Sequence, residues 1–262
     1  MIELSGLCKQ FGKKRAVDNV SLTLNEGTIT GFIGPNGAGK TTTLKMLTGI
    51  LKPDEGRIVL NGIDLAEDPV AAKEEFGYVS DNPDLFTSLK GVEYIKFICD
   101  VYGVEESVRK DRMNQLLEDF EMTEAVSQKI ASYSHGMRQK IHIIATLMHD
   151  PKLWIMDEPM TGLDPQSSYL LKKKMRDHAN KGNMVLFSTH VLEVAEKLCD
   201  QIAIINKGQI TYTGTLEALK ETYPEKSLEE IFLTVTGSRF LDGQEGLDSQ
   251  VDTDGRDGQE EA

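Results

Sequence analysis

The chain has 262 residues, with 29 Lys and Arg against 42 Asp and Glu, a formal net charge of −13, and 39% hydrophobic residues. That length and composition suit one α/β domain or two small ones with a sizeable core, and no apolar run reaches the roughly 18–20 residues of a membrane span. The N-terminal stretch predicts no secretory signal, and Cys8, Cys99 and Cys199, odd in number and far apart, fit a reducing cytosol and form neither a disulfide framework nor a zinc pattern.

Taken in order, residues 2–7, 20–24 and 57–60 alternate or are β-branched and predict short strands. Asn61-Gly62 signals a hairpin into residues 63–65. Residues 28–33 form an apolar strand that runs into a glycine-rich loop and then a helix over 41–48. Asp68-Pro69 opens a further helix, with Pro at its first position, before a strand that ends at Ser80. From 82 to 150 the apolar residues recur at helical spacing, as in Val92, Ile95, Ile98, Cys99 and Tyr102. After Pro151, residues 153–156 and 184–187 are continuous apolar runs, the pattern of strands buried on both faces. Helices over 165–179 and 190–199 separate and follow them, and residues 202–205 and 210–213 form a hairpin around Lys207-Gly208.

Charge is concentrated at the end. Residues 238–262 hold eight acids and two bases, a net −6, and are nearly free of large apolar residues after Leu247, which predicts an acidic disordered tail. The acidity of the whole argues against nonspecific binding to nucleic acid or anionic lipid.

Gly34-Pro35-Asn36-Gly37-Ala38-Gly39-Lys40-Thr41 matches G-x-x-x-x-G-K-S/T, between a strand and a helix as the motif requires. Its glycines let backbone N–H groups turn inward around an anion, and the helix terminus adds its dipole. Lys40 supplies a point charge for β and γ phosphates, the Thr41 hydroxyl suits Mg²⁺, and Thr42 suits an inner phosphate oxygen. The apolar strand Leu153-Trp154-Ile155-Met156 ends in Asp157-Glu158. A carboxylate there requires a cation or donors nearby. Asp157 suits the Mg²⁺ shell, and Glu158, one residue on and facing the other way, suits a general base for water attacking a γ-phosphate. Asn206-Lys207-Gly208-Gln209 lacks the fourth-position carboxylate of a guanine-reading motif and reads as a turn.

With these motifs in this order, residues 2–237 resemble the nucleotide-binding ATPase subunit of ABC transporters. The resemblance implies a P-loop NTPase α/β core with an N-terminal antiparallel β subdomain, spanning 1–237, and a helical subdomain inserted at about 82–150. Tyr133-Ser134-His135-Gly136-Met137-Arg138-Gln139 resembles the family signature, usually LSGGQ, with His135 in place of Gly. In the family this loop comes from the opposite subunit of a head-to-tail dimer, so Ser134 and the Gly136 backbone would bond the γ-phosphate held by the partner's Lys40. Met160-Thr161-Gly162-Leu163-Asp164 resembles the D-loop, His190 the switch histidine, and Phe11 the aromatic that stacks on adenine. Asp81 stands where the family usually has Gln, and would bring a third carboxylate to the Mg²⁺ side of the site, with Asn82 beside it. The implied cofactors are ATP and Mg²⁺. The implied partners are a second copy or a homologous ATPase subunit and an integral membrane permease in another chain, which would hold this chain at the inner face of the cell membrane; nucleic acid is not expected. Residues Ser227-Leu228-Glu229-Glu230-Ile231-Phe232 and the short helical insertion resemble exporter ATPases. Two alternatives stay open: an importer ATPase, or a nontransport member such as an iron–sulfur assembly ATPase.

Overall fold

A computed structural model describes residues 1–84 and 86–237; the expected acidic tail lies outside the described residues. Ten strands, nine α-helices and two short 3-10 turns are described, in the order β1 (Ile2–Phe11), β2 (Lys14–Leu24), β3 (Ile29–Ile33), α1 (Lys40–Leu47), β4 (Glu55–Leu60), β5 (Ile63–Asp64), α2 (Pro69–Glu74) and β6 (Phe76–Val79). There follow α3 (Gly91–Val101), α4 (Glu106–Asp119), the two 3-10 turns, α5 (His135–Leu147), β7 (Leu153–Asp157), α6 (Pro165–Asn180), β8 (Met184–Thr189), α7 (Leu192–Leu198), β9 (Gln201–Asn206), β10 (Gln209–Gly214), α8 (Leu216–Thr222) and α9 (Leu228–Thr236).

The strands form two sheets. One is antiparallel, in the order β2-β1-β4-β5. The other has the order β10-β9-β3-β8-β7-β6 and is parallel except for β10. β7 shows why its sequence is apolar throughout. Leu153 and Ile155 face a core shared with α1 and the antiparallel sheet, while Trp154 and Met156 face a core shared with α3–α6. The inserted helices α3–α5 thus pack into the same hydrophobic cluster as one face of the parallel sheet. α7, α8 and α9 cover Ile33, Ile202 and Ile204. Trp154 is fully buried, with its ring edge-on to His178 at 5.8 Å and its Nε1 without a hydrogen-bond partner.

β1 and β2 run well beyond the expected 2–7 and 20–24. Register shifts between Leu4 and Leu7 and between Leu7 and Lys9 break the two-residue alternation on which a strand is read, and Gly6 and Asn19 take left-handed φ values of 60° and 53° beside them. Asp68 caps α2 by accepting from the Ala71 N–H at 3.1 Å, with Pro69 at the first helical position.

Candidate functional site

The glycine-rich loop joins β3 to α1. Gly39 caps α1 at φ 114°, a conformation L side chains rarely adopt, and a Cβ there would lie 2.7 Å from the Ala16 carbonyl oxygen. Any other residue at this entry to the helix is strained. Beside the loop lies a cleft of about 250 Å³, lined by Pro35, Asn36, Gly37, Lys40, Thr41 and Thr42, and also by Asp81 and Glu158. Lys14 and Ala16, at the start of β2, complete one wall. Gly34 and Ala38 sit behind it; the Ala38 carbonyl accepts from Gly208 N–H at 2.8 Å, so the Lys207-Gly208 turn braces the phosphate loop.

Lys40 is buried, and its Nζ donates to the Gly34 carbonyl at 2.6 Å and the Pro35 carbonyl at 3.3 Å. It also stands 3.5 Å from Glu158 Oε1. Glu158 in turn has both carboxylate oxygens 3.0 Å from His190 Nδ1. An ionised carboxylate only accepts, so Nδ1 donates and Nε2 of His190 is left free to meet a ligand.

Strict strand alternation places Asp157 and Glu158 on opposite faces; Glu158 lines the cleft, while Asp157 is fully buried and outside its lining. The reason is local. Glu158 takes φ 47°, outside the strand region, and its N–H donates to Ser188 Oγ at 2.9 Å. Ser188 donates from the same hydroxyl to Asp157 Oδ1 at 2.5 Å. Sequence reasoning missed this serine; its position two residues before His190 on β8 was the available signal.

Asp157 is fully buried, and burial pushes its carboxyl above the ordinary carboxylate range. The charges of Asp81 and Glu158 push the same way, while the Ser188 and Thr41 hydroxyls pull down. Its Oδ2 has no hydrogen-bond partner. An orphaned buried carboxylate oxygen beside a threonine hydroxyl fits a hard cation such as Mg²⁺, which takes few protein ligands and completes its shell with phosphate and water oxygens. Asp81 is exposed at the rim, and among the described residues no three His, Cys, Asp or Glu side chains converge to hold a metal by themselves.

The remaining expected residues lie outside the cleft lining. Phe11 ends β1 and is 51% exposed, so it is no core residue; Lys9 Nζ sits 6.0 Å from its ring centre. Ser134 caps α5, accepting from Met137 N–H at 3.2 Å. Gly136 is pressed against the D-loop, where a Cβ would meet the Gly162 carbonyl oxygen at 2.6 Å, and the His135 ring occupies the space a Cβ on Gly162 would need. Asp164 caps α6 by accepting from Ser167 N–H at 2.8 Å and Ser167 Oγ at 2.7 Å, and it pairs with Lys140 at 2.9 Å. These partners hold its carboxyl well below the ordinary range, Ser167 foremost.

A family model described as ABC transporter matches residues 17–161, more than half of the chain. The chain belongs to the ABC transporter family. As an ABC ATP-binding subunit it is an ATPase, and its matches extend over nearly its whole length. It is 34% identical over 238 residues to the ABC-type transporter ATP-binding protein EcsA of Bacillus subtilis, covering 90% of this chain and 96% of EcsA. It is 36% identical over 215 residues to the linearmycin resistance ATP-binding protein LnrL of the same organism, covering 82% of this chain and 69% of LnrL. A solved ATP-binding subunit of an ABC transporter superposes with a TM-score of 0.86 at 32% identity, covering 90% of this chain and 99% of that one. No helix among the described residues is long and apolar enough to cross a membrane.

Proposed function

We propose that this chain pairs head-to-tail with a second copy or a homologous subunit around two ATP molecules and drives a separate membrane permease, in the outward direction. The observation that carries the reading is the contrast at the cleft. Lys40, Thr41 and Glu158 line the cleft, with His190 bonded to Glu158 and Asp157 joined to it through Ser188, while Ser134, Gly136 and Asp164 neither line the cleft nor hydrogen-bond a residue that does. A site whose second half stands apart within one chain is completed by another.

In this reading Lys40 leaves its backbone carbonyls for the β and γ phosphates, and Thr42 bonds an inner phosphate oxygen. Thr41, Asp157 and Asp81 would hold Mg²⁺, which would neutralise phosphate charge. Glu158 takes a proton from the attacking water, and His190, fixed by Glu158 through Nδ1, presents Nε2 to the γ-phosphate. Phe11 offers an exposed ring face to adenine. Ser134 and the Gly136 N–H, at the start of a 13-residue helix, suit the γ-phosphate held by the other subunit. Asp164 shapes the D-loop from beneath.

Two further features support a membrane partner and outward transport. Exposed Phe86 and Phe97, ring centres 5.7 Å apart, stand on the segment after Asp81 and on α3, an apolar patch that suits a protein contact. A relative named for linearmycin resistance fits an outward direction. Localisation at the inner membrane face follows from the permease.

Size-exclusion chromatography of Glu158→Gln tests the pairing. With ATP it should run at twice the monomer mass and with ADP at the monomer mass. A monomer at saturating ATP refutes it. Failure of the tagged chain to copurify from detergent-solubilised membranes with the product of a neighbouring permease gene refutes the membrane role.

A further inference from the structure

The segment after Asp81 is fastened to α5 by side chains. His142, buried on α5, places Nε2 3.0 Å from the Pro83 carbonyl oxygen and Nδ1 3.0 Å from the Tyr94 hydroxyl of α3. A carbonyl only accepts, so Nε2 carries the hydrogen, and the neutral ring leaves Nδ1 to accept from Tyr94. Burial favours the neutral form of both groups, lowering the imidazole pKa and raising that of the phenol. One turn earlier on α5, Arg138 pairs with Asp84 and donates to the carbonyls of Ile130 at 3.3 Å and Ala131 at 3.1 Å. Phe86 holds a left-handed φ of 53°, unusual for a bulky residue, while stacked on Tyr94 at 5.0 Å. Pro83 and Asp84 are thus pinned directly to α5, and Phe86 through Tyr94.

A polar ring at position 142 is costly in itself. Its neighbours on α5, Ile141, Ile143, Ile144 and Ala145, are all fully buried, and an imidazole among them is tolerated because both nitrogens are satisfied. What it gains is a bridge between elements. α5 also carries Ser134 at its start, roughly 12 Å along the helix axis from His142 at 1.5 Å per residue.

We propose that His142, through its Nε2–H bond to the Pro83 carbonyl, is a positioning residue for Asp81, tying the acid at the mouth of the cleft to the helix that opens on Ser134. This rests on the cleft being the ATP-hydrolysing site.

The test uses the full chain with His142→Ala, His142→Gln, Asp81→Ala, the His142→Ala/Asp81→Ala double variant, and Ile144→Val as a packing control. Removing the bridge should lower kcat about tenfold, as misplacement of a site group does, and leave the Kd for a fluorescent ATP analogue within about twofold. His142→Gln, whose amide N–H replaces Nε2–H, should recover most of that loss. In the Asp81→Ala background, His142→Ala should add nothing, since coupled residues are non-additive. Ile144→Val should lower the melting temperature without changing kcat. Hydrogen exchange of the amides around Pro83 and Asp84 should quicken in His142→Ala and not in Ile144→Val. A wild-type kcat in His142→Ala, a loss additive with that of Asp81→Ala, or unchanged exchange overturns the proposal. If the unaltered chain hydrolyses no ATP, the proposed function fails, and the exchange measurement still decides the bridge by itself.

Discussion

The phosphate-loop side of the molecule and the signature-loop side are built on opposite plans. Around the cleft, polar groups are left with partners that a ligand can replace. Lys40 rests on two backbone carbonyls, His190 keeps Nε2 free, and Asp157 Oδ2 is buried alone. On the signature side the polar groups are already satisfied within the chain. Ser134 caps α5, Asp164 caps α6 and pairs with Lys140, and Gly136 and His135 close on Gly162. One half stores electrostatic demand for a ligand; the other stores shape. In the isolated chain, nucleotide binding should therefore respond when the first is altered, and stability when the second is.

The largest effect expected is on the first half. Glu158→Gln should slow phosphate release by about 10²–10⁴ while nucleotide affinity in equilibrium dialysis holds. Near wild-type turnover would break the contrast, because the demand would then lie elsewhere.

Gly39→Ala comes next. A Cβ at φ 114° and 2.7 Å from the Ala16 oxygen should cost about 1–3 kcal/mol in urea unfolding and abolish measurable ATP binding. Retained binding would show that the loop tolerates a different entry into α1.

Acid should act on the helical side. Burial lowers the pKa of His149, beside the C-terminus of α5, to about 4, and the ring stacks on Tyr102 at 3.8 Å. Its unfolded value is near 6.5, so the unfolded chain takes up the proton first. Stability from this residue is complete above pH 6.5 and falls by about 1.4 kcal/mol per pH unit down to about pH 4. His149→Gln should flatten that part of the unfolding profile, and an unchanged slope would assign it to other groups.

The smallest effect sharpens the contrast from the other direction. Asp164→Ala removes a helix cap and an ion-pair partner, and should lower unfolding free energy by about 1 kcal/mol. Nucleotide affinity of the isolated chain should stay the same. A weakened affinity in the monomer would place Asp164 in the cleft after all.

The sequence was most legible where backbone geometry dictates residue type. The G-x-x-x-x-G-K-T run, the Asp68-Pro69 helix start and the doubly buried strands β7 and β8 could be read directly. It was less legible where side chains override periodicity. The bulges in β1 and β2 hide their length. α8 has only seven residues, too few to show a period, and Ser227 to Phe232 was read as a family motif although its capping box opens α9. The left-handed φ with which Glu158 enters the cleft beside Lys40 is invisible in a pair of acids. Ser188 and His142 were missed for a shared reason: each matters through contacts with residues about 30 to 60 positions away in the chain.

The chain has one tryptophan, and it lies three residues before Asp157 on the strand that ends in that acid. Sealed in an apolar interior, its indole emits at shorter wavelengths than an exposed one. His178 lies edge-on to it, and a protonated imidazole quenches indole emission more strongly than a neutral one. The protein thus carries its own optical reporter for the strand beneath the metal side of the cleft, readable in the unlabelled chain while nucleotide is added.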